Sequence, residues 1–292
     1  MTMKKKKKDA LFYFLLLLPA MILFVVFFIF PVLQSFWLSL TDSYGMKSTY
    51  DFIGLSNYIE AFKDKSFTKT ISNTLCYTLI AVIAGNIVSV VLAFLLDSRI
   101  KAKNLFRTVF FVPNTMSLLV VGYIWYFVYT KVFPEMTETL SGTSVALLGN
   151  KSLVILALAI VGIWNVAGYY MIIYIAGLQS ISEDLIEAAK IDGASNFKSI
   201  WYIKLPILAP TIMTCLILSV AAHMKVFELP YTMTSGGPVG ASSTMVYKIY
   251  TTAFGAGRNG YASAQSLILF LIIAGISLIL NYIMKKKEEQ IS

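Results

Sequence analysis

Six apolar stretches govern what this chain can become: residues 11–33, 73–96, 109–129, 153–176, 207–222 and 266–284. Each approaches or exceeds the roughly 20 residues that a helix needs to cross bilayer hydrocarbon, and none contains Asp, Glu, Lys or Arg. The whole chain has 58% hydrophobic and 13% charged residues and a mean hydropathy of +0.74. That charged share is about half of what soluble domains carry. The expected fold is an all-α integral membrane protein with six transmembrane helices. It divides into a basic N-terminus (1–10), one transmembrane domain (11–284) and a tail (285–292).

Charge sets the expected orientation. A block of five lysines at 4–8 precedes the first apolar run. That run exceeds the roughly 7–15 residues of a signal-peptide core and is not followed by a small-x-small cleavage site, so it reads as a first span. Pro19 and Pro31 would kink it or mark its ends. The short segment 97–107 carries Arg99, Lys101, Lys103 and Arg107, and the tail carries Lys285, Lys286 and Lys287. Basic residues favour the cytoplasmic side, which puts both termini and the segments 97–107 and 177–206 inside. Segments 41–72, 130–151 and 223–264 are then outside. The net charge of +9 is explained by these membrane-edge lysines, so no nucleic acid is expected as a partner. Cys76 and Cys215 both fall in apolar runs and suggest neither a disulfide nor a metal site.

One polar island, 182–206, interrupts the last part of the apolar pattern. Ser182 suits a helix N-cap, with Glu183 and Asp184 in the first turn against the positive end of the dipole. Ile181 and Ile186 stand where a hydrophobic staple would join them. Asp192-Gly193 should stop this helix, because glycine takes the left-handed conformation of a C-terminal cap. Ser195 can cap a second short helix, which Leu205-Pro206 is expected to end. Ala188, Ala189 and Gly193 leave the outer face nearly bare, open to close approach by another backbone. Any cytoplasmic loop with two interfacial helices would satisfy this pattern.

Catalytic chemistry is not legible here. The sequence holds no Gly-x-x-x-x-Gly-Lys-Ser/Thr phosphate loop, and its one histidine, His223, rules out a multi-His centre. Polar residues inside spans are the informative ones, since a helix in lipid has few reasons to carry them. Asn86 is a lone amide in the second span, and Pro113-Asn114 lies just inside the third. Gly162, Asn165 and Tyr169 share one face of the fourth span, and Thr211, Cys215, Ser219 and His223 one face of the fifth. Tyr169 offers an aromatic plane and a hydroxyl, a pairing suited to a sugar ring. Asn165 and Ser219 could equally bond a neighbouring helix.

The residues Glu187-Ala188-Ala189, Asp192-Gly193-Ala194, Ile203 and Leu205-Pro206 resemble the EAA loop of permease subunits in binding-protein-dependent ABC importers. Phe52-Ile53-Gly54-Leu55-Ser56-Asn57-Tyr58, Thr234-Ser235-Gly236-Gly237-Pro238 and Gly260-Tyr261-Ala262-Ser263-Ala264 resemble its carbohydrate-importing, maltose-type branch. The resemblance covers nearly the whole chain and implies a type I ABC importer permease fold in the cell membrane. It implies that Glu187, Ala188, Ala189, Asp192, Gly193, Leu205 and Pro206 dock on a separate ATP-hydrolysing subunit. Asn165, Tyr169, Ser219 and His223 would contact a sugar, and Gly236, Gly237 and Pro238 would meet an extracellular solute-binding protein. ATP and Mg would be bound by two partner ATPase subunits and not by this chain. A second permease, a related but different chain, would complete the membrane part as a heterodimer. The large external domain of some maltose permeases is not present, so their substrate cannot be copied over.

Two other classes fit the sequence less well. An ion-coupled secondary transporter wants an intramembrane carboxylate or cation, which the spans lack. A membrane-embedded enzyme wants convergent acids, bases or metal ligands, which are also lacking. Within the importer class, glycerol phosphate or a polyamine is the alternative cargo; a phosphate should call for a buried Arg or Lys, so a neutral sugar fits better.

Overall fold

The computed structural model describes residues 3–45, 49–97 and 101–291, with side chains for 12–45, 49–97 and 101–286. Arg99 of the expected basic segment, the side chains of the lysine block 4–8, Lys287 and Ser292 lie outside these. Among the described residues the chain forms helices and one isolated β-bridge, Thr41 with Phe52. Five helices are long and apolar enough to cross a membrane: α1 (Phe12–Ser39), α3 (Lys65–Asp97), α6 (Val154–Gln179), α8 (Asn196–His223) and α10 (Asn259–Lys286). A further apolar stretch is divided into α4 (Lys103–Thr115) and α5 (Leu118–Ser141), bent by 97° at the break between them. Shorter helices are α2 (Ser56–Lys63), α7 (Glu183–Ile191) and α9 (Met245–Tyr250).

Several expected boundaries are corrected, and proline is the common cause. Pro31, Pro134 and Pro206 do not end their helices. Each is preceded by a five-residue π turn: Val25–Ile29, Val128–Val132 and Ile200–Lys204. The residue just before each proline donates its N–H five residues back, Phe30 to Val25, Phe133 to Val128 and Leu205 to Ile200. The wider turn relieves the clash between the ring and the preceding turn's carbonyl, so the helix continues. Leu205-Pro206 is therefore inside α8, which begins at Asn196. The expected outer loop 130–151 is helical as far as Ser141, where Gly142 at φ +71° caps it.

The chain divides into two compact units, Met1–Asp64 with Ile249–Ile268, and Lys65–Lys248 with Leu269–Ser292. In the first, two stretches far apart in sequence are clasped together. Asn57 Nδ2 donates to the carbonyls of Ser39 (2.9 Å) and Thr41 (2.8 Å), and the Tyr58 and Ser39 hydroxyls share a 2.7 Å hydrogen bond. Gly260 donates its N–H to Ser43 O (3.0 Å), and a Cβ on it would overlap the Thr41 carbonyl. Arg258 donates two 2.7 Å bonds to Glu60 and lies 4.4 Å from the Tyr261 ring centroid. The segments 52–58 and 260–264 thus build one structural clasp. α1 itself is uncovered along its apolar length, as a lipid-facing helix is expected to be.

The second unit is centred on α6, the most buried of the spans, packed along α3. The Tyr174 hydroxyl donates to Asn86 Oδ1 (2.5 Å) and Asn86 Nδ2 to Val82 O (2.7 Å), so the lone amide is fully engaged between the two helices. One apolar cluster gathers Tyr77, Val121, Leu158, Val161 and Leu229; another gathers Leu96, Met171, Tyr174, Leu178 and Leu208. The broken span is held against α6 at Gly168, where a Cβ would run into the Phe110 carbonyl, and at Asn165, whose Nδ2 donates to Pro113 O (2.7 Å). Small residues permit such backbone approach between membrane helices.

Two outcomes are expected. Gly168→Ala overpacks backbone against backbone and destabilises the protein by about 1–3 kcal/mol, read as a fall in thermal midpoint in detergent. Gly275→Ala, where a Cβ meets open space, does not; equal stability of Gly168→Ala and wild type would contradict this packing. The second concerns pH. Arg258 beside Glu60 holds that carboxyl below the usual carboxylate range, while burial opposes it. A depressed folded-state value stabilises above the unfolded value and is lost as pH falls through the folded one. Glu60→Gln should therefore lower the thermal midpoint at neutral pH, and wild type should converge on it below about pH 4. A gap that persists in acid would be inconsistent with the ion pair as its source.

Candidate functional site

Between α3, α6 and the end of α8 lies a cavity of about 280 Å³. Its wall includes Tyr77, Gly162, Asn165, His223, Lys225 and Glu228. His223 is buried at the last turn of α8, with Nδ1 2.8 Å from Ser219 O. A carbonyl only accepts, so Nδ1 carries the proton. In the neutral imidazole Nε2 is then an acceptor, and it stands 3.9 Å from where a Cβ on Gly162 would be. The same Cβ would collide with the Tyr77 hydroxyl, and the Tyr77 and His223 rings lie 5.9 Å apart. Gly162 is thus the opening at which a phenol hydroxyl and an imidazole nitrogen converge. This set can donate to and accept from a polyhydroxylated solute.

Of the four expected contact residues, the structure brings Asn165 and His223 to the cavity wall. Ser219 sits directly behind, buried, its Oγ 3.3 Å from His223 Nδ1. Tyr169 continues the α6 stripe beyond the cavity and is 41% exposed, so it is not joined to the others within this chain. Asn165 also has a second role, since one amide hydrogen is committed to Pro113. Tyr77, Lys225 and Glu228 were not anticipated. Tyr77 lies on the second span, where only Asn86 stood out. Lys225 and Glu228 follow His223 immediately, in what read as the start of an outer loop.

The polar island folds largely as its residues dictate. Ser182 takes the extended N-cap conformation without a side-chain cap bond. Gly193 adopts φ +79°, with its N–H on Lys190 O (3.0 Å) and that of Ala194 on Ala189 O (2.9 Å). Ser195 Oγ accepts from Lys198 N (3.3 Å). Ile181 and Ile186 meet in one apolar cluster. Phe197 and Trp201 are 70% and 56% exposed. Their rings are paired at 6.1 Å, and Leu185, Ile191 and Tyr202 of the same stretch are exposed as well; uncovered large apolar side chains that gather in one place mark interaction sites.

The segment 234–238 is a tight turn. Ser235 and Gly236 have positive φ, and the Gly237-Pro238 bond is cis. Gly236 is buried, where a Cβ would come within 2.7 Å of the Tyr247 ring. Ser242 Oγ donates to Gly237 O and shares a 2.7 Å hydrogen bond with Thr234 Oγ1. Asn73 of α3 donates to the carbonyls of Gly240 and Ser243, both at 2.9 Å. The exposed tip is Val239, with Gly237 and Pro238 half-buried beside it.

Comparison with known proteins fixes the family. The profile described as "Binding-protein-dependent transport system inner membrane component" matches residues 85–288. The chain is 33% identical over 270 residues to the multiple sugar-binding transport system permease protein MsmF of Streptococcus mutans, covering 92% of this chain and 93% of that one. It is also 33% identical to the probable starch degradation products transport system permease protein AmyD of Thermoanaerobacterium thermosulfurigenes, with 92% of each covered. To the sn-glycerol-3-phosphate transport system permease protein UgpA of Agrobacterium fabrum it is 30% identical, with 89% of each covered. Among solved structures, a chain of a bacterial alginate ABC transporter in complex with an alginate pentasaccharide-bound periplasmic protein superimposes with a TM-score of 0.84 at 22% identity, over 97% of this chain and 96% of that one. With five apolar spans and a bent sixth stretch, a helix–turn–helix between α6 and α8 and these relatives, the chain belongs to the binding-protein-dependent inner membrane components of ABC transport systems.

Proposed function

We propose that this chain moves a neutral sugar or short oligosaccharide through the cavity between α3, α6 and α8, driven by ATP hydrolysis in separate subunits. The observation that carries this reading is the position of α8. It runs from the exposed apolar loop at one end to His223 at the other, so a docked motor and a solute would meet the same helix. The loop around Glu187, Ala188, Ala189, Asp192 and Gly193 lies in the cytoplasm with both termini and receives two ATPase subunits. They bind the ATP and Mg; this chain itself is not an enzyme. A second, related permease completes the membrane part, and a loaded solute-binding protein delivers cargo at the outer surface near Gly236, Gly237 and Pro238.

Closure of the ATPase pair then pulls the loop, and the helices turn from inward-facing to outward-facing. The solute leaves its binding protein for the cavity, and hydrolysis resets the gate. Asn165, His223 and the Tyr77 hydroxyl supply the polar contacts, and Ser219 holds the imidazole. At about 280 Å³ the cavity is at the small end for a ligand site. A partner permease would therefore enlarge it, with Tyr169 exposed toward the shared pathway.

A second reading keeps the machine and changes the cargo. Lys225 lines the cavity and supplies a cation that an anionic solute such as a glycerol phosphate would use. Glu228 in the same wall opposes it, which favours the neutral sugar.

Uptake into proteoliposomes that hold the full complex separates these. Gly162→Val fills the cavity and should abolish uptake while leaving assembly intact. His223→Ala should raise KM for the sugar about tenfold, the worth of one good hydrogen bond. Undiminished sugar uptake by both variants would remove the cavity from the pathway, and preferential uptake of glycerol phosphate would establish the second reading. Before the other end of α8, a Cβ on Gly193 meets open space but its φ of +79° strains any side chain, so bulk there is read against an Asn control. Gly193→Asn, which tolerates a left-handed backbone, should still pull down the ATPase, and Gly193→Trp should not. Normal capture by Gly193→Trp would place the docking surface elsewhere.

A further inference from the structure

The weak point of α8 is its π turn, Ile200–Lys204, which separates the first helical turn (Asn196–Ser199) from the long stretch Leu205–His223. Such a turn is a place where a helix bends readily. A pull applied at α7 would be absorbed there unless the turn were braced. The structure supplies a brace. Lys204, the last residue of the turn, has Nζ 3.7 Å from Oδ2 of Asp97, the last residue of α3, and the two side chains are 21% and 22% exposed. This pair ties the loop 182–206 to the end of α3.

Around the pair the space between α7 and the end of α3 is open. A cleft of about 520 Å³ separates them, bordered by Asp97, Glu183, Glu187, Lys190, Ser199 and Lys204. Ser199 Oγ in its wall is buried without a hydrogen-bond partner. Ile181 and Ile186 join α7 to the apolar cluster that holds Leu96 and Leu208, and the chain leads from α7 to α6 on one side and to α8 on the other. A partly buried pair is screened less by salt than an exposed one, and removing one member leaves the other charge unsatisfied.

We infer that Asp97 and Lys204 are positioning residues that lock the π turn to α3, so that displacement of α7 reaches the His223 end of α8 instead of bending the helix at its start. This rests on the ATP-coupled reading above. The test is the ratio of ATP hydrolysed to sugar imported, measured in the same proteoliposomes with the full complex. Asp97→Asn and Lys204→Met should each assemble at wild-type yield but raise that ratio about five- to tenfold. The charge swap Asp97→Lys with Lys204→Asp should return it to within about twofold of wild type. A wild-type ratio in either single variant, or a swap no better than the singles, overturns the inference. So does loss of assembly in the singles, which would make the pair a folding contact. Failure of wild-type complex to couple ATP to uptake refutes the proposed function instead, so the two failures are distinguishable.

Discussion

In hydrocarbon a peptide carbonyl has no water to turn to, so every break in a membrane helix must be satisfied from within the protein. The break between α4 and α5 is where this constraint acts most strongly. The ladder stops after Thr115, and the Pro113 carbonyl, which takes the Met116 N–H at 3.3 Å, also accepts from the amide of Asn165 on α6. Three residues on, Gly168 lets the Phe110 carbonyl lie against the α6 backbone. These two positions fix how α6 stands against the broken span, and with it the wall of the cavity. A residue that reads as a ligand candidate is also the one that makes the bend tenable.

Proline is handled by a second device that recurs along the chain. Three X-Pro steps follow π turns in α1, the α5 extension and α8, and in each the helix survives a residue that would ordinarily stop it. The consequence reaches function. Because Pro206 does not end the helix, the exposed loop and the cavity belong to one continuous element. Had α8 begun after Pro206, the loop would be a separate appendage with no stiff path to His223.

What was legible in the sequence is what depends on neighbours along the chain. Gly193, Ser195 and the Ile181–Ile186 pair follow from capping and staple chemistry within a few residues, and the structure has them. The apolar runs gave the crossings and, with the loop residues, the family. What was hidden depends on which neighbour covers a face at a given depth. Helical spacing puts Tyr169 on the stripe of Gly162 and Asn165, yet only the last two have α3 and α8 opposite them in this chain. Tyr77 and Glu228 come from segments 85 or more residues from Gly162 or past a helix end, with no local pattern to join them.

The central claim is that this membrane chain is driven by another subunit's ATP through the loop between α6 and α8. Uptake of labelled sugar into proteoliposomes holding the permease pair, the ATPase subunits and the loaded binding protein tests it directly. The account predicts uptake that requires ATP inside, loaded binding protein outside, and no ion gradient. Uptake by this chain that proceeds without ATP and collapses when a proton or sodium gradient is dissipated would contradict it.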